Sequence, residues 1–205
     1  TSHHRHPSTS GGAHVFEFVN NLDFNWTTGH NISGEQFNLI NNYYKAGPSL
    51  KAEYPLQFKS KEIRPVSHGY FSGNHFGGLS EQYNQDNYTA MNYKAFNTKY
   101  KSSTREFFEV TKRFDAGKYK LTKIDSAKKA YESCLKKSGC SLMRDTVDER
   151  LIKCIIDKTG KVIDSQNDVG GWDMYPSVAR PSGYDSDQDG MPNAWERKLG
   201  LNLND

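Results

Sequence analysis

Phe37-Asn38-Leu39-Ile40-Asn41-Asn42-Tyr43-Tyr44 is the stretch from which a fold can be read. Its first four residues have the aromatic and branched character of a strand, and the paired asparagines read as the polar corner that ends it. Val15-Phe16-Glu17-Phe18-Val19, leading into Asn20-Asn21, has the same form, and Asn21 and Asn42 are 21 positions apart. Gly69-Tyr70-Phe71-Ser72-Gly73-Asn74 repeats the ending after a longer interval. A period in the twenties, with asparagine at corresponding positions, predicts coils of a parallel β-solenoid. In such a stack a corner asparagine bonds to the backbone of the next coil. A series of β-hairpins in an asparagine-rich chain satisfies the same spacing, and both readings stand at this point.

Away from this repeat the patterning changes. Residues 80–120 are polar and aromatic (Tyr83, Tyr88, Tyr93, Phe96, Tyr100, Phe107, Phe108) with no clean period, which predicts an extension packed along the outside of the first region. Ala127, Ala130, Tyr131, Cys134 and Leu135 fall on one face of a 3.6-residue period, predicting a helix capped at Asp125 and stopped at Ser138-Gly139. A second helix is predicted from Asp145 or Thr146 to Thr159-Gly160, followed by a short extended piece at Val162-Ile163-Asp164. Pro192 reads as an early residue of a terminal helix, Ala194 to Leu199, stopped by Gly200.

The 205 residues are 35% hydrophobic and 25% charged, with a mean hydropathy of -0.85, yet carry 12 Tyr, 11 Phe and 3 Trp. That is too aromatic for a disordered chain. No apolar run is long enough to cross a membrane. A net charge of +3 gives no indication of a nucleic-acid binder. The chain begins at Thr1 without a signal-like segment, the expectation being a processed piece of a secreted, extracellular protein. Asn25, Asn31 and Asn87 open sequons and are candidate glycosylation sites. Cys134 and Cys140 flank a short loop that a disulfide can close, and Cys154 is left over as a buried thiol.

Chemistry concentrates at the two ends. Asp185-Ser186-Asp187-Gln188-Asp189-Gly190-Met191 places carboxylates at positions 1, 3 and 5, a turn-permitting glycine at 6 and a backbone carbonyl at 7. Glu196 at position 12 can close the shell, completing the spacing of an EF-hand-like calcium loop. Four carboxylates this close repel one another unless a cation sits among them. The loop is isolated, without a second motif, and its expected role is to fasten the last helix. At the other end, His3-His4-Arg5-His6-Pro7 lacks the ligand intervals of a zinc site. His14 lies in the first strand, facing either the core or a cleft.

In order along the chain, Arg5-His6-Pro7, Gly11-Gly12, His14-Val15, Asn20-Asn21 and Asn25-Trp26 resemble the "R-x-P … G … H-V … N-N … N-W" stretch of pectate lyases. Leu39-Ile40-Asn41-Asn42-Tyr43-Tyr44-Lys45-Ala46-Gly47-Pro48 and Tyr70 to Asn74 are similar to two of that family's later coils. Gly139, Ser141, Arg144-Asp145, Val147 to Arg150, Ile163 to Gln166 and Val169 to Trp172 resemble the extension of its bacterial-type members, as does the tail at 185–196. The resemblance implies an all-β, right-handed parallel β-helix with a partly helical C-terminal extension. It divides the chain into coils at 1–80, an extension at 81–180, and the calcium loop with its helix at 181–205.

The implied reaction is calcium-assisted β-elimination on α-1,4-linked galacturonan, with Arg5 as the proton-abstracting base and His4 and His14 as substrate-binding residues. Where the family writes "R-x-P-R-x-R", this chain has Ser8 and Ser10. The loss of a bidentate, charge-assisted contact keeps a second reading in view: a catalytically silent homologue that binds acidic polysaccharide. The aspartates for a catalytic calcium are expected upstream, on an N-terminal chain of the same precursor. The calcium of residues 185–196 is expected to be structural.

Overall fold

The computed structural model describes residues 15–32, 36–58, 67–94, 105–174 and 179–204. The chain forms two compact units, residues 1–171 and residues 172–205. In the first, β1 (Val15–Val19), β2 (Leu22–Phe24) and β3 (His30–Ile32) are followed by β4 (Gln36–Ile40), β5 (Tyr43–Lys45) and β6 (Leu56–Phe58). Then come β7 (His68–Ser72), β8 (His75–Gly77) and β9 (Met91–Asn92). Each turn of chain gives one strand to each of three sheets, ordered β1-β4-β7, β2-β5-β8 and β3-β6-β9. Every pairing between these strands is parallel. The hairpin alternative is thereby overturned, and the arrangement is compatible with a parallel β-helix.

Register sets side chains in line from coil to coil. Phe18, Leu39 and Phe71 stand in line across the first sheet, as do Asp23, Tyr44 and Phe76 across the second. Tyr44 and Phe76 lie nearly parallel, with centroids 4.9 Å apart. Trp26, Ile32, Phe37, Leu39, Tyr44 and Leu56 are almost wholly enclosed and form the core between the sheets.

The corner after the first sheet explains the paired asparagines. Asn20, Asn41 and Gly73 share left-handed backbone, at φ 56°, 50° and 65°. Asparagine and glycine tolerate this region best. The following residues, Asn21, Asn42 and Asn74, form a ladder. The Asn21 backbone N–H and Nδ2 donate to Asn42 Oδ1 at 2.9 and 3.2 Å. Those of Asn42 donate to Asn74 Oδ1 at 3.0 and 2.9 Å, and those of Asn74 to Asn87 Oδ1 at 2.8 and 3.1 Å. Asn42 and Asn74 also donate back to Phe18 O and Leu39 O, both at 2.7 Å. Buried backbone at a corner has no strand partner, and these amides supply one.

Residues 81–94 are not outside the stack, as their polarity predicts. α1 (Gln82–Gln85) and a 3-10 turn at Asn87–Ala90 carry Asn87 into the ladder, and β9 extends the third sheet past residue 80. Tyr88 stacks on Phe71 with centroids 5.0 Å apart and donates its hydroxyl to Gly69 O and Val110 O. Phe108 of α2 (Arg105–Phe108) is fully buried over Gly69, whose Cβ would collide with that ring.

The chain then crosses the outer face of β1 and β4. Glu17 pairs with Arg113, Asn38 exchanges hydrogen bonds with the Phe114 backbone, and Asn20 does so with Asp125. Helices α3 (Ala127–Lys137) and α4 (Thr146–Asp157) follow. Ser126, not Asp125, caps α3, because the Asp125 carboxylate is held by Lys129 at 2.7 Å. Asp145 caps α4 as expected, and Lys158 ends it in left-handed conformation. Residues 162–164 form no strand; a 3-10 turn at Gln166–Val169 follows.

Burial pushes the phenols of Tyr43, Tyr44, Tyr83, Tyr88 and Tyr93 above their usual value. Tyr44 is fully enclosed, lies beside Asp23 and touches His30 Nδ1 at 3.2 Å. Raised folded values mean that the unfolded chain releases protons first as pH rises. Stability from these groups is therefore complete below about pH 10 and is lost above it. Denaturant titrations at pH 8, 9, 10 and 11 are expected to show a flat stability followed by a fall. Tyr44→Phe should make that fall shallower, and a fall of unchanged steepness would contradict the assignment to Tyr44.

Candidate metal centre

The second unit holds the acidic loop. α5 (Asn193–Leu199) begins after Pro192, which stands one residue outside the helix as its N-cap, and Gly200 ends it at φ 72°. Gly190 has φ 98° with open space where a Cβ would be, so glycine is required by backbone conformation and not by crowding. Gln188 is also left-handed, at φ 63°. These two turns curl the loop back on itself.

Asp185, Asp187 and Asp189 are brought together, with one carboxylate oxygen from each lying within 4.8 Å of the others. Asp185 Oδ2 accepts from the Gly190 N–H at 3.0 Å, and Asp189 Oδ1 from the Met191 N–H at 2.7 Å. Asp185 Oδ1 and Asp187 Oδ2 are enclosed without a hydrogen-bond donor. Glu196 stands outside the aspartate cluster but is fully buried, with both carboxylate oxygens shielded from solvent.

Asn193 clamps the loop. It is buried; its Oδ1 accepts from Ser186 N–H at 2.9 Å, and its Nδ2 donates to Gly183 O and Ser186 Oγ at 2.9 and 2.6 Å. Two unit charges about 4 Å apart repel by about 4 kcal/mol at an effective dielectric near 20. Three aspartates at this separation, two of them with an enclosed oxygen facing no donor, match the needs of a hard cation with oxygen ligands. The chemistry of the Asp185, Asp187 and Asp189 donor set suits a hard cation such as calcium.

The other predicted positions fare differently. Arg5, His4 and His14 lie outside the described residues. Cys134, Cys140 and Cys154 are all free thiols, so the expected disulfide is not formed, and Cys154 is half-buried where full burial was expected. The turn between α3 and α4 is held instead by Arg144 Nη2, donating to Leu135 O at 2.6 Å, and by Asp148 Oδ2, accepting from Cys140 N–H at 2.7 Å. Burial raises the Cys134 thiol above its usual range, leaving it little nucleophilic character.

Two of the three sequon asparagines are structural. Asn25 is buried in left-handed conformation with its Nδ2 enclosed, and its Oδ1 accepts from Ser49 N–H at 2.7 Å. Asn87 uses Nδ2 to donate to Asn74 O and Tyr83 O. Neither nitrogen has room for a glycan in the folded chain. Asn31 is half-buried, and its Oδ1 accepts from Gln57 Nε2 at 2.7 Å; Ser33 of its sequon lies outside the described residues.

One side chain of the repeat carries a contact that the sequence does not announce. Lys45 is buried and donates to Tyr131 Oη at 2.8 Å and Ile156 O at 3.3 Å, joining the coil stack to both α3 and α4. Its ammonium also lies 5.0 Å from the centre of the Tyr131 ring.

A probable pectate lyase C of Emericella nidulans is 27% identical to this chain over 207 residues. The match takes in 98% of this chain but 44% of that protein, so the chain spans less than half of its relative's length. No family model matches the sequence. No solved structure matches it either.

Proposed function

We propose that this chain is the C-terminal part of a secreted pectate-lyase-like enzyme that cleaves α-1,4-linked galacturonan by β-elimination. The observation carrying the reading is the likeness to a probable pectate lyase C along almost the whole chain. The stacked parallel coils and their asparagine ladder are compatible with the right-handed β-helix of that family. Residues 1–80 would then be its final main coils, 81–180 its extension and 181–205 a calcium-fastened terminus. Among the described residues no helix is long and apolar enough to cross a membrane.

In the proposed reaction Arg5, in its neutral form, removes the proton at C5 of a galacturonate residue. The C–H electron pair becomes the C4–C5 double bond, the C4–O4 bond breaks, and the departing oxygen takes up a proton. A cation bound at the substrate carboxylate would acidify that C5 proton. Its ligands would come from the N-terminal chain of the same precursor. Arginine's ordinary pKa above ~12 makes alkaline conditions favourable. His4 and His14 would contact the substrate. The carboxylates of residues 185–196 hold a separate, structural calcium in this proposal.

The test uses the longest natural form of the protein with polygalacturonate and calcium at alkaline pH, following the ultraviolet absorbance of the unsaturated product. Activity that Arg5→Ala abolishes is the expected result. Activity unchanged by Arg5→Ala would remove the base assignment. Polymer binding without any product would favour the silent homologue, the reading to which Ser8 and Ser10 point.

A further inference from the structure

A second place for saccharide lies on the side of the coil stack. β5, β8 and the start of α3 enclose a cleft of about 490 Å³ lined by Tyr43, His75, Asn84, Lys128, Tyr131 and Glu132. Its wall is a run of aromatic rings. Tyr43 lies between His75 and Tyr131, with centroids 4.6 and 4.5 Å away. All three are half-buried and line the cleft.

The polar groups differ in their commitments. Asn84 is fixed, its Oδ1 accepting from Phe76 N–H at 2.7 Å and its Nδ2 donating to Glu81. Tyr131 Oη is engaged by Lys45. Lys128 and Glu132, one turn apart on α3, are exposed and, among the described residues, uncommitted to any ion pair. The neighbouring Lys129 is held by Asp125, which leaves Lys128 as the cation available to the cleft.

An aromatic wall with a few convergent polar groups is the general form of a small-ligand site. A pyranose presents one C–H face that packs on such rings and a rim of hydroxyls. A uronate adds a carboxylate, complementary to the free ammonium of Lys128. We propose that this cleft binds one or two residues of an anionic polyuronate chain, the ring against the aromatic wall at His75, the carboxylate at Lys128 and a hydroxyl at Glu132. This inference rests on the reading of the protein as one that acts on acidic polysaccharide.

The test is calorimetric titration of the full chain with trigalacturonate, with cellotriose as a neutral control. Lys128→Ala and Glu132→Gln alter rim residues that the fold does not use. The expected result is saturable trigalacturonate binding that Lys128→Ala weakens roughly fivefold or more, with cellotriose binding much weaker. Trigalacturonate should also protect Lys128 from amine acetylation. Unchanged affinity in both variants, or no trigalacturonate binding by the wild type, overturns the cleft. The product assay decides the lyase reading independently: elimination by a protein whose cleft variants bind normally leaves that reading standing. Protection of Lys128 in a protein that makes no product leaves the cleft standing without it.

Discussion

Asn42→Ala is expected to destabilise the first unit by about 3–5 kcal/mol, read as a drop in the urea midpoint at constant slope. The side chain accepts from two donors on Asn21 and donates to Phe18 O and Asn74 Oδ1. Each net hydrogen bond contributes about 1 kcal/mol, but alanine also strands the groups left behind, at about 1–3 kcal/mol for a buried one. Asn42 is almost wholly enclosed, so water cannot substitute without opening the corner. Asn20→Gly is the contrasting case. That residue, unlike Asn42, has left-handed backbone, which glycine adopts freely, and it loses only its bonds to Asn41 O and Asp125. Its cost should be well below that of Asn42→Ala, and equal costs would contradict a special contribution from the buried ladder.

Calcium is expected to act on the second unit. Chelation should loosen residues 172–205 and let trypsin cut at the already exposed Arg180, Arg197 and Lys198, while the coil stack resists. Saturating calcium at about 1,000 times its dissociation constant adds about 4 kcal/mol to the stability of the unit that binds it. Trp195, half exposed on α5, reports the change by fluorescence. Asp185→Asn together with Asp187→Asn should abolish the calcium response. Magnesium should be a poor substitute, because it requires a tighter octahedral shell and gives up its waters reluctantly. A wild-type chain whose digestion and fluorescence ignore calcium would contradict the loop assignment.

What the sequence announced followed from how locally the chemistry was written. The three aspartates of 185–189 fall at alternate positions within five residues, so a single loop declares them. The corner asparagines are legible because the same task recurs at the same point of each coil. Asn87 escaped that pattern: it joins the ladder only 13 residues after Asn74, from a 3-10 turn instead of a strand end. β9 was illegible because two residues carry no periodicity. Lys45 and Tyr131 are 86 positions apart, and nothing in either neighbourhood signals the other. The sequons at Asn25 and Asn87 misled for a physical reason: in this fold asparagine is a corner and stacking residue, and its amide is spent internally.

The proposed chemistry differs from hydrolysis by one water molecule, and the mass of the products reads that difference. Digestion of oligogalacturonate labelled at its reducing end by the longest natural form of the protein, with calcium at alkaline pH, should release fragments whose new non-reducing end is lighter by one water. That mass identifies a C4–C5 unsaturated sugar. Saturated fragments, or an uncleaved substrate that the protein nevertheless binds, would contradict a lyase.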